Sequence, residues 1–296
     1  MDATLFGPWE AAAVLSKALL YAATFVAAGG VFFRSTCGAL LTVADWRRVE
    51  VIIGSASLGV VILGGLRVPL LAAQLSGTAA GIIDPAMLGM VLDSAEGRAL
   101  LVRVVGVVFA AVALSGPQRA AWLALPGAAM AAMSFAMAGH VQAMPNPSVA
   151  ATLESVHLLC VAFWLGALTP LWCIGRYDEQ GERFARVARR VGHMALVVVA
   201  ILLMAGVALL WMMLGHAEPN WSSGYVRLMC VKLSFALVLL SLAALNKLRL
   251  TPGLLAGERL AAGRLMRSIR AEMALGGGIL LVTALLTTLT GPPLLE

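Results

Sequence analysis

Side chains that bind soft metals recur at helical spacing in the middle of the chain. Three methionines and a histidine follow one another at intervals of three and four residues: Met130, Met133, Met137 and His140. His157, Cys160 and Trp164 repeat this spacing further on. Such intervals place each set on one stripe of a helix. Because thioether, thiol and imidazole donors favour copper, particularly Cu(I), over Mg²⁺ or Ca²⁺, the two stripes predict a copper site.

Each stripe also has a purely structural interpretation. Methionine at helical spacing commonly fills a core, and buried cysteine is commonly inert, so His140 and His157 are the strongest candidates. Met144 and His216 lie near the same face, and Met229 and Cys230 lie at comparable depth. The candidate metal ligands are therefore His140, His157, His216, Met137, Met144 and Cys160.

The composition shows what kind of structure must position these side chains. Of the 296 residues, 61% are hydrophobic and 12% are charged, and the mean hydropathy is +0.93. Too little polar surface remains for a soluble enzyme, a disordered chain or a secreted disulfide scaffold. The four cysteines form no CxxC pair, so neither a disulfide framework nor a zinc site is indicated. The chain is predicted to be a polytopic membrane protein.

Apolar runs of about twenty residues, the length that crosses a bilayer as a helix, recur along the chain. Eight spans are predicted: 10–33, 50–75, 98–115, 120–139, 152–173, 192–214, 224–246 and 270–290. Since no basic residue precedes Lys17, the first run lacks the basic region of a cleaved signal peptide, and we expect it to remain as a helix. The fold class is therefore an all-α membrane helix bundle of about eight transmembrane helices in one domain, residues 1–296.

The basic residues predict the orientation of these spans. Most of the 21 Lys and Arg residues fall in the connections between spans one and two, three and four, five and six, and seven and eight. The positive-inside rule then places both termini on the outer, periplasmic side. The net charge of +6 thus reflects the membrane topology. The expected partner is the lipid bilayer, and no nucleic-acid partner is expected.

Ionisable residues inside the spans form a second group of candidates, because a charge in hydrocarbon is costly. On this topology Lys17, Arg67, Arg103, Glu154 and Lys232 lie in the outer halves of their spans, where Glu10 is a further possible ion-pair partner. They predict either a functional pocket or a set of structural ion pairs and snorkelling side chains.

Several segments resemble one known family. Gly139-His140, then His157-Leu158-Leu159 and Trp164-Leu165-Gly166-Ala167-Leu168, are similar to the central signature of the CopD/PcoD copper-resistance membrane proteins. Arg183-Phe184-Ala185-Arg186 and the stretch from Tyr225 to Pro252 agree in order and spacing. The resemblance implies an eight-helix protein of the bacterial inner membrane that moves copper together with a periplasmic copper-binding CopC partner. It also implies that the family's histidines correspond to His140 and His157.

The leading hypothesis is a copper transport or homeostasis protein that captures Cu(I) or Cu(II) at its periplasmic face. No GxxxxGK[ST] loop is present, so we expect no ATP hydrolysis and no enzymatic activity. The alternative is a b-type haem or quinone protein of membrane electron transfer, with histidines on the iron and Arg67, Arg103 or Lys232 pairing with propionates. A third option is a non-catalytic membrane subunit whose histidines only form hydrogen bonds.

Overall fold

Helices make up every regular element in the part of the chain that the structure describes. The computed structural model describes residues 7–114, 122–178, 181–214 and 223–289, without the side chains of residues 113, 140 and 214. The α-helices are α1 Pro8–Cys37, α2 Val43–Ser76, α3 Pro85–Asp93, α4 Ala95–Leu114, α5 Ala124–Met133, α6 Pro147–Tyr177, α7 Glu182–Leu214, α8 Gly224–Leu245, α9 Thr251–Leu255 and α10 Ala261–Leu289.

Six helices are long and apolar enough to cross a membrane, namely α1, α2, α6, α7, α8 and α10. The prediction of an all-α membrane helix bundle is therefore confirmed. The helix α4 has 20 residues, and α5 continues through the 3-10 turn Ser134–Met137 as a shorter apolar segment.

Several helices are longer than the spans predicted for them. The helices α2, α6 and α7 have 34, 31 and 33 residues, or roughly 45–50 Å at the α-helical rise. The hydrocarbon core is only ~30 Å thick. The helix α7 begins at Glu182, about ten residues before the predicted start at residue 192. Hydropathy marks only the part of a helix that contacts lipid tails, and basic side chains carry the remainder into the headgroup region.

The helix α1 lies at the centre of the bundle, where it packs against α2, α5, α6 and α10. It crosses α6 at Gly29 and Gly166. A Cβ atom on Gly29 would lie 2.1 Å from the carbonyl oxygen of Ala162, and one on Gly166 would lie 2.1 Å from that of Phe25. Only glycine allows two backbones to approach this closely, so the crossing fixes α1 against α6.

Ion pairs close the end of the bundle that carries the ends of α1 and α6 and the starts of α2 and α7, here called the basic end. Asp45 of α2 is fully buried and lies 3.2 Å from Arg48 and 3.0 Å from Arg183 of α7. Arg34 of α1 lies 3.1 Å from Glu50 and stacks 4.4 Å above the ring of Trp46. These contacts tie three helices together.

A π-helical turn, Asn246–Leu250, joins α8 to the short helix α9, which packs against α7 near the basic end. The side-chain amide of Asn246 donates a hydrogen bond to Glu272 of α10, which is buried. Trp164 of α6 is also a hydrogen-bond partner of Glu272. The turn is thereby held to α10.

Candidate functional site

A gap between α7 and α8 opens into the interior of the bundle. The helix α7 packs mainly against α6 and α8 mainly against α10. Among the described residues α7 and α8 meet through a few side chains, including Met213 with Tyr225 and Leu202 with Leu239. The gap leads to a cavity of about 990 Å³, here called the lateral cavity, which α1, α2, α4, α6 and α10 also line. This volume is at the upper end of the range for small-molecule sites.

The mouth of the lateral cavity faces sideways. Leu203 and Val207 of α7 and Leu233 of α8 line the cavity. They are also 46%, 65% and 44% exposed. On helices that cross a membrane such exposed leucine and valine contact lipid tails, so the cavity is open toward the bilayer.

Charged side chains from five helices meet at the end of the cavity away from the basic end. The basic, acidic and histidine residues of the lining are Lys17, Arg67, Glu96, Glu154, His157 and Lys232. The cavity thus brings together four of the five residues of the predicted intramembrane cluster, together with His157. Arg103 lies just behind them.

Arg67 is held by several partners. Its Nη1 atom donates to the carbonyl oxygen of Ala13 and to Ser16 Oγ, both at 3.0 Å, and its Nη2 lies 3.3 Å from Glu96 Oε1. Glu96 is not among the residues predicted from sequence, because a glutamate at the start of a span is indistinguishable from an ordinary loop charge. Glu10 instead accepts a hydrogen bond from the backbone of Gly7 at 2.6 Å.

Arg103 is fully buried behind the ring of Phe135, which lines the cavity. Its Nε donates to Ser134 Oγ at 3.0 Å, and its guanidinium lies 3.5 Å above the ring. Both Nη atoms lack a hydrogen-bond partner among the described residues. A cation–π contact compensates only part of the cost of burying a charge.

Glu154 and His157 lie one turn apart on α6 and both line the lateral cavity. Glu154 Oε2 and His157 Nδ1 are buried and have no hydrogen-bond partner among the described residues. Lys17 and Lys232 lie within electrostatic reach of Glu154. Gly206 of α7 faces the imidazole so closely that a Cβ there would lie 3.3 Å from His157 Cε1. The imidazole also forms a hydrogen bond with the backbone of Leu202. The ring is therefore held by α7 on two sides, while Glu154 Oε2 and His157 Nδ1 remain without a partner among the described residues.

Two methionines supply thioethers to the same cavity. Met213 of α7 and Met229 of α8 both line it, and the hydroxyl of Tyr225 donates to Met213 Sδ at 3.6 Å. Met144 is buried against Met213 and Met212. Met213 is not among the residues predicted from sequence. The side of α7 that faces inward is decided by how α7 packs beside the gap, which the sequence of α7 does not reveal.

The structure places the remaining candidate ligands elsewhere. Cys160 does not line the cavity but packs against Trp164, Leu202 and Leu239, which do, and Met137 is 41% exposed. His216 lies outside the described residues. The chain enters the turn His140–Ala143 through Gly139, which lines the cavity and has a φ of 99°, a value that favours glycine. The side chain of His140 is outside the described part.

The donor chemistry of this region is mixed. Within the described ranges no group of three or more His, Cys, Asp and Glu side chains is arranged to hold a metal. A metal ion in the lateral cavity would therefore rely on His157, Glu154 and thioether sulfur. Such a set suits a soft monovalent ion better than Zn²⁺ or Mg²⁺.

Comparisons with known proteins point in one direction. A family model described as Copper resistance protein D matches residues 185–286, and one described as Copper resistance protein D-like, N-terminal domain matches residues 8–150. The inner membrane protein YebZ of Escherichia coli (strain K12) is 29% identical over 162 residues, 52% of this chain and 54% of that protein. The match thus spans about half the length of this curated relative. No solved structure matches the chain.

Proposed function

The chain belongs to the copper resistance protein D family and is a multi-pass inner-membrane protein, and from this premise we propose that it binds copper in the lateral cavity and transports it across the membrane. Copper is the cargo in this proposal, and the cavity is the place where it enters the protein.

The proposal includes eight crossings with both termini in the periplasm. Beyond the six long helices, α4 is long enough to span the hydrocarbon, and α5 with its 3-10 turn returns the chain to Gly139 at the cavity. Packing against α1, α4 and α6 supports the short crossing by α5. The positive-inside rule places the basic end in the cytoplasm, so the lateral cavity lies toward the periplasmic face.

One observation carries the assignment of copper to this cavity. His157 Nδ1 and Glu154 Oε2 have no partner in the described chain and line a cavity that Met213 and Met229 also line. Imidazole and thioethers bind Cu(I) well, and the Glu154 carboxylate contributes a further donor oxygen. Since Gly139 lines the same cavity, we include His140 as a further ligand.

The proposal extends to the source of the metal and to the driving force. A periplasmic copper-binding protein of the CopC type would deliver copper to the mouth of the cavity. With no phosphate-binding loop in the sequence, transport would follow a gradient or depend on that partner rather than on ATP hydrolysis by this chain.

Metal analysis of the purified protein tests the proposal. The affinity for Cu(I) is measured by competition with a chelator, and uptake is measured in proteoliposomes. His140→Ala with His157→Ala, and Met213→Leu with Met229→Leu, are each expected to lower the affinity at least tenfold and to slow uptake.

Two matched variants control for nonspecific damage. His193 is exposed on α7, where its ring contacts the Arg189 carbonyl at 2.7 Å, and Met204 is 65% exposed on the same helix. His193→Ala and Met204→Leu should bind and transport copper like the parent protein. Undiminished copper binding by the double histidine variant would disprove the assignment.

A further inference from the structure

The charges around the lateral cavity do not balance. Among the described residues four cations lie around two carboxylates: Lys17, Arg67, Arg103 and Lys232 around Glu96 and Glu154. Glu96 lies 3.3 Å from Arg67 and also interacts with Lys17 and Arg103, whereas Glu154 interacts with Lys17 and Lys232. The cations thus exceed the carboxylates by two when His157 is neutral. In a bilayer such an excess is costly unless a counter-charge is bound. A copper ion would increase this excess, so copper does not explain it.

The walls of the cavity indicate the source of the counter-charge. Beyond the charged end, α7 and α8 line the gap mainly with aliphatic side chains, including Leu203, Leu210, Leu233 and Leu240. The mouth opens sideways at the depth of the lipid tails, as the exposure of Leu203 and Leu233 shows. An occupant must therefore have an anionic head and an extended apolar tail, and it can enter from within the membrane.

We propose that the lateral cavity binds an anionic phospholipid, with its phosphate between Lys17 and Lys232 and one acyl chain in the gap between α7 and α8. Among the described residues the Lys17 ammonium is only weakly satisfied, since its bond to the carbonyl oxygen of Thr287 is 3.4 Å long. Lysine binds phosphate as a point charge, which suits a headgroup that enters from the side. The lipid goes beyond copper transport and does not depend on it.

Native mass spectrometry of copper-free, delipidated protein in a neutral detergent tests this site. One phosphatidylglycerol should bind per chain, and phosphatidylcholine should bind at least tenfold more weakly. Lys17→Met and Lys232→Met should each weaken phosphatidylglycerol binding about fivefold, from the attraction between one basic residue and an anionic surface. Leu233→Trp should block the gap and reduce binding, whereas Lys17→Arg should retain it.

Matched variants separate the cavity from the protein surface. Arg98 is an exposed basic residue at the same end of the bundle, and Leu237, one turn from Leu233, is 65% exposed and does not line the cavity. Arg98→Met and Leu237→Trp should bind the lipid unchanged.

Three results would overturn the proposal: equal binding of the two lipids, equal losses in the control variants, or full displacement of phosphatidylglycerol by inorganic phosphate alone. The last result would identify a site for free anions. Thermal unfolding without lipid shows that each variant is folded before it is scored. Because the measurement contains no copper, its outcome is independent of the metal experiments.

Discussion

Replacing Gly206 of α7 by alanine should move the ring of His157 on α6 with little change in the stability of the protein. The new Cβ would lie 3.3 Å from His157 Cε1 and 3.4 Å from Nδ1, so the ring must move by a few tenths of an ångström. In a helix interior, alanine is favoured over glycine by about 1 kcal/mol. The contact offsets this gain, so we expect the unfolding temperature to change little.

The same small movement should have a large effect on copper binding. A metal ligand must be held within about 0.5 Å of its productive position, and disturbing the residues that orient a ligand commonly costs roughly 10- to 100-fold in affinity. We therefore expect Gly206→Ala to weaken Cu(I) binding about tenfold, and Gly206→Val to weaken it further. Chelator competition gives the affinity, and differential scanning fluorimetry gives the unfolding temperature.

Gly65→Ala is the matched control. Gly65 lies within α2, and no atom lies within 4 Å of the place that the new methyl group would take, so only helix propensity changes. This variant should bind copper like the parent protein and be slightly more stable. If Gly206→Ala binds copper as tightly as Gly65→Ala, the orientation of His157 by α7 has no part in metal binding, and the predicted loss of Cu(I) affinity is wrong.

Three further predictions concern stability and cofactor content. Asp45→Asn should lower the free energy of unfolding by about 2 kcal/mol in thermal melts, because Arg48 and Arg183 lose a buried carboxylate but keep some exposure; unchanged melting would contradict this. Gly166→Ala should lower the free energy of unfolding by about 1–3 kcal/mol or prevent folding, because the methyl group meets the α1 backbone. The yield of monodisperse protein measures this loss. Gly277→Ala, with open space around it, should do neither. The purified protein should show no Soret band, and a band lost on His157→Ala would instead favour the haem alternative.

The sequence predicts the spanning elements well, because the physics that selects them is local. Long apolar runs bury their backbone polar groups in a helix whatever surrounds them, so hydropathy alone locates the six long helices. The helix ends are less accessible to such reasoning. Nothing local stops α7 at the edge of the hydrocarbon, and it continues to Glu182 through residues that the hydropathy profile excludes.

The candidate site is predicted only in part, for a different reason. The cost of a charge in hydrocarbon singles out Lys17, Arg67 and Lys232 from sequence, and the structure brings these three to one cavity. Which side of α7 or α8 faces that cavity is decided by how the two helices pack around the gap between them. Neither sequence segment alone contains this information. Met213 therefore could not be distinguished from a methionine that contacts lipid.

The π-helical turn Asn246–Leu250 is the natural point for α8 to bend relative to α7. The two helices are connected through α9 at the basic end, and at the opposite end the hydroxyl of Tyr225 on α8 donates to Met213 Sδ on α7. Because π turns interrupt the regular hydrogen-bond ladder, we expect a change in this turn to shift the far end of α8. The hydrogen bond from Asn246 to Glu272 holds this turn against α10, while the glycine crossing holds α1 against α6. Widening the cavity in this way would break the contact between Tyr225 and Met213 while leaving the packing of α1 against α6 unchanged.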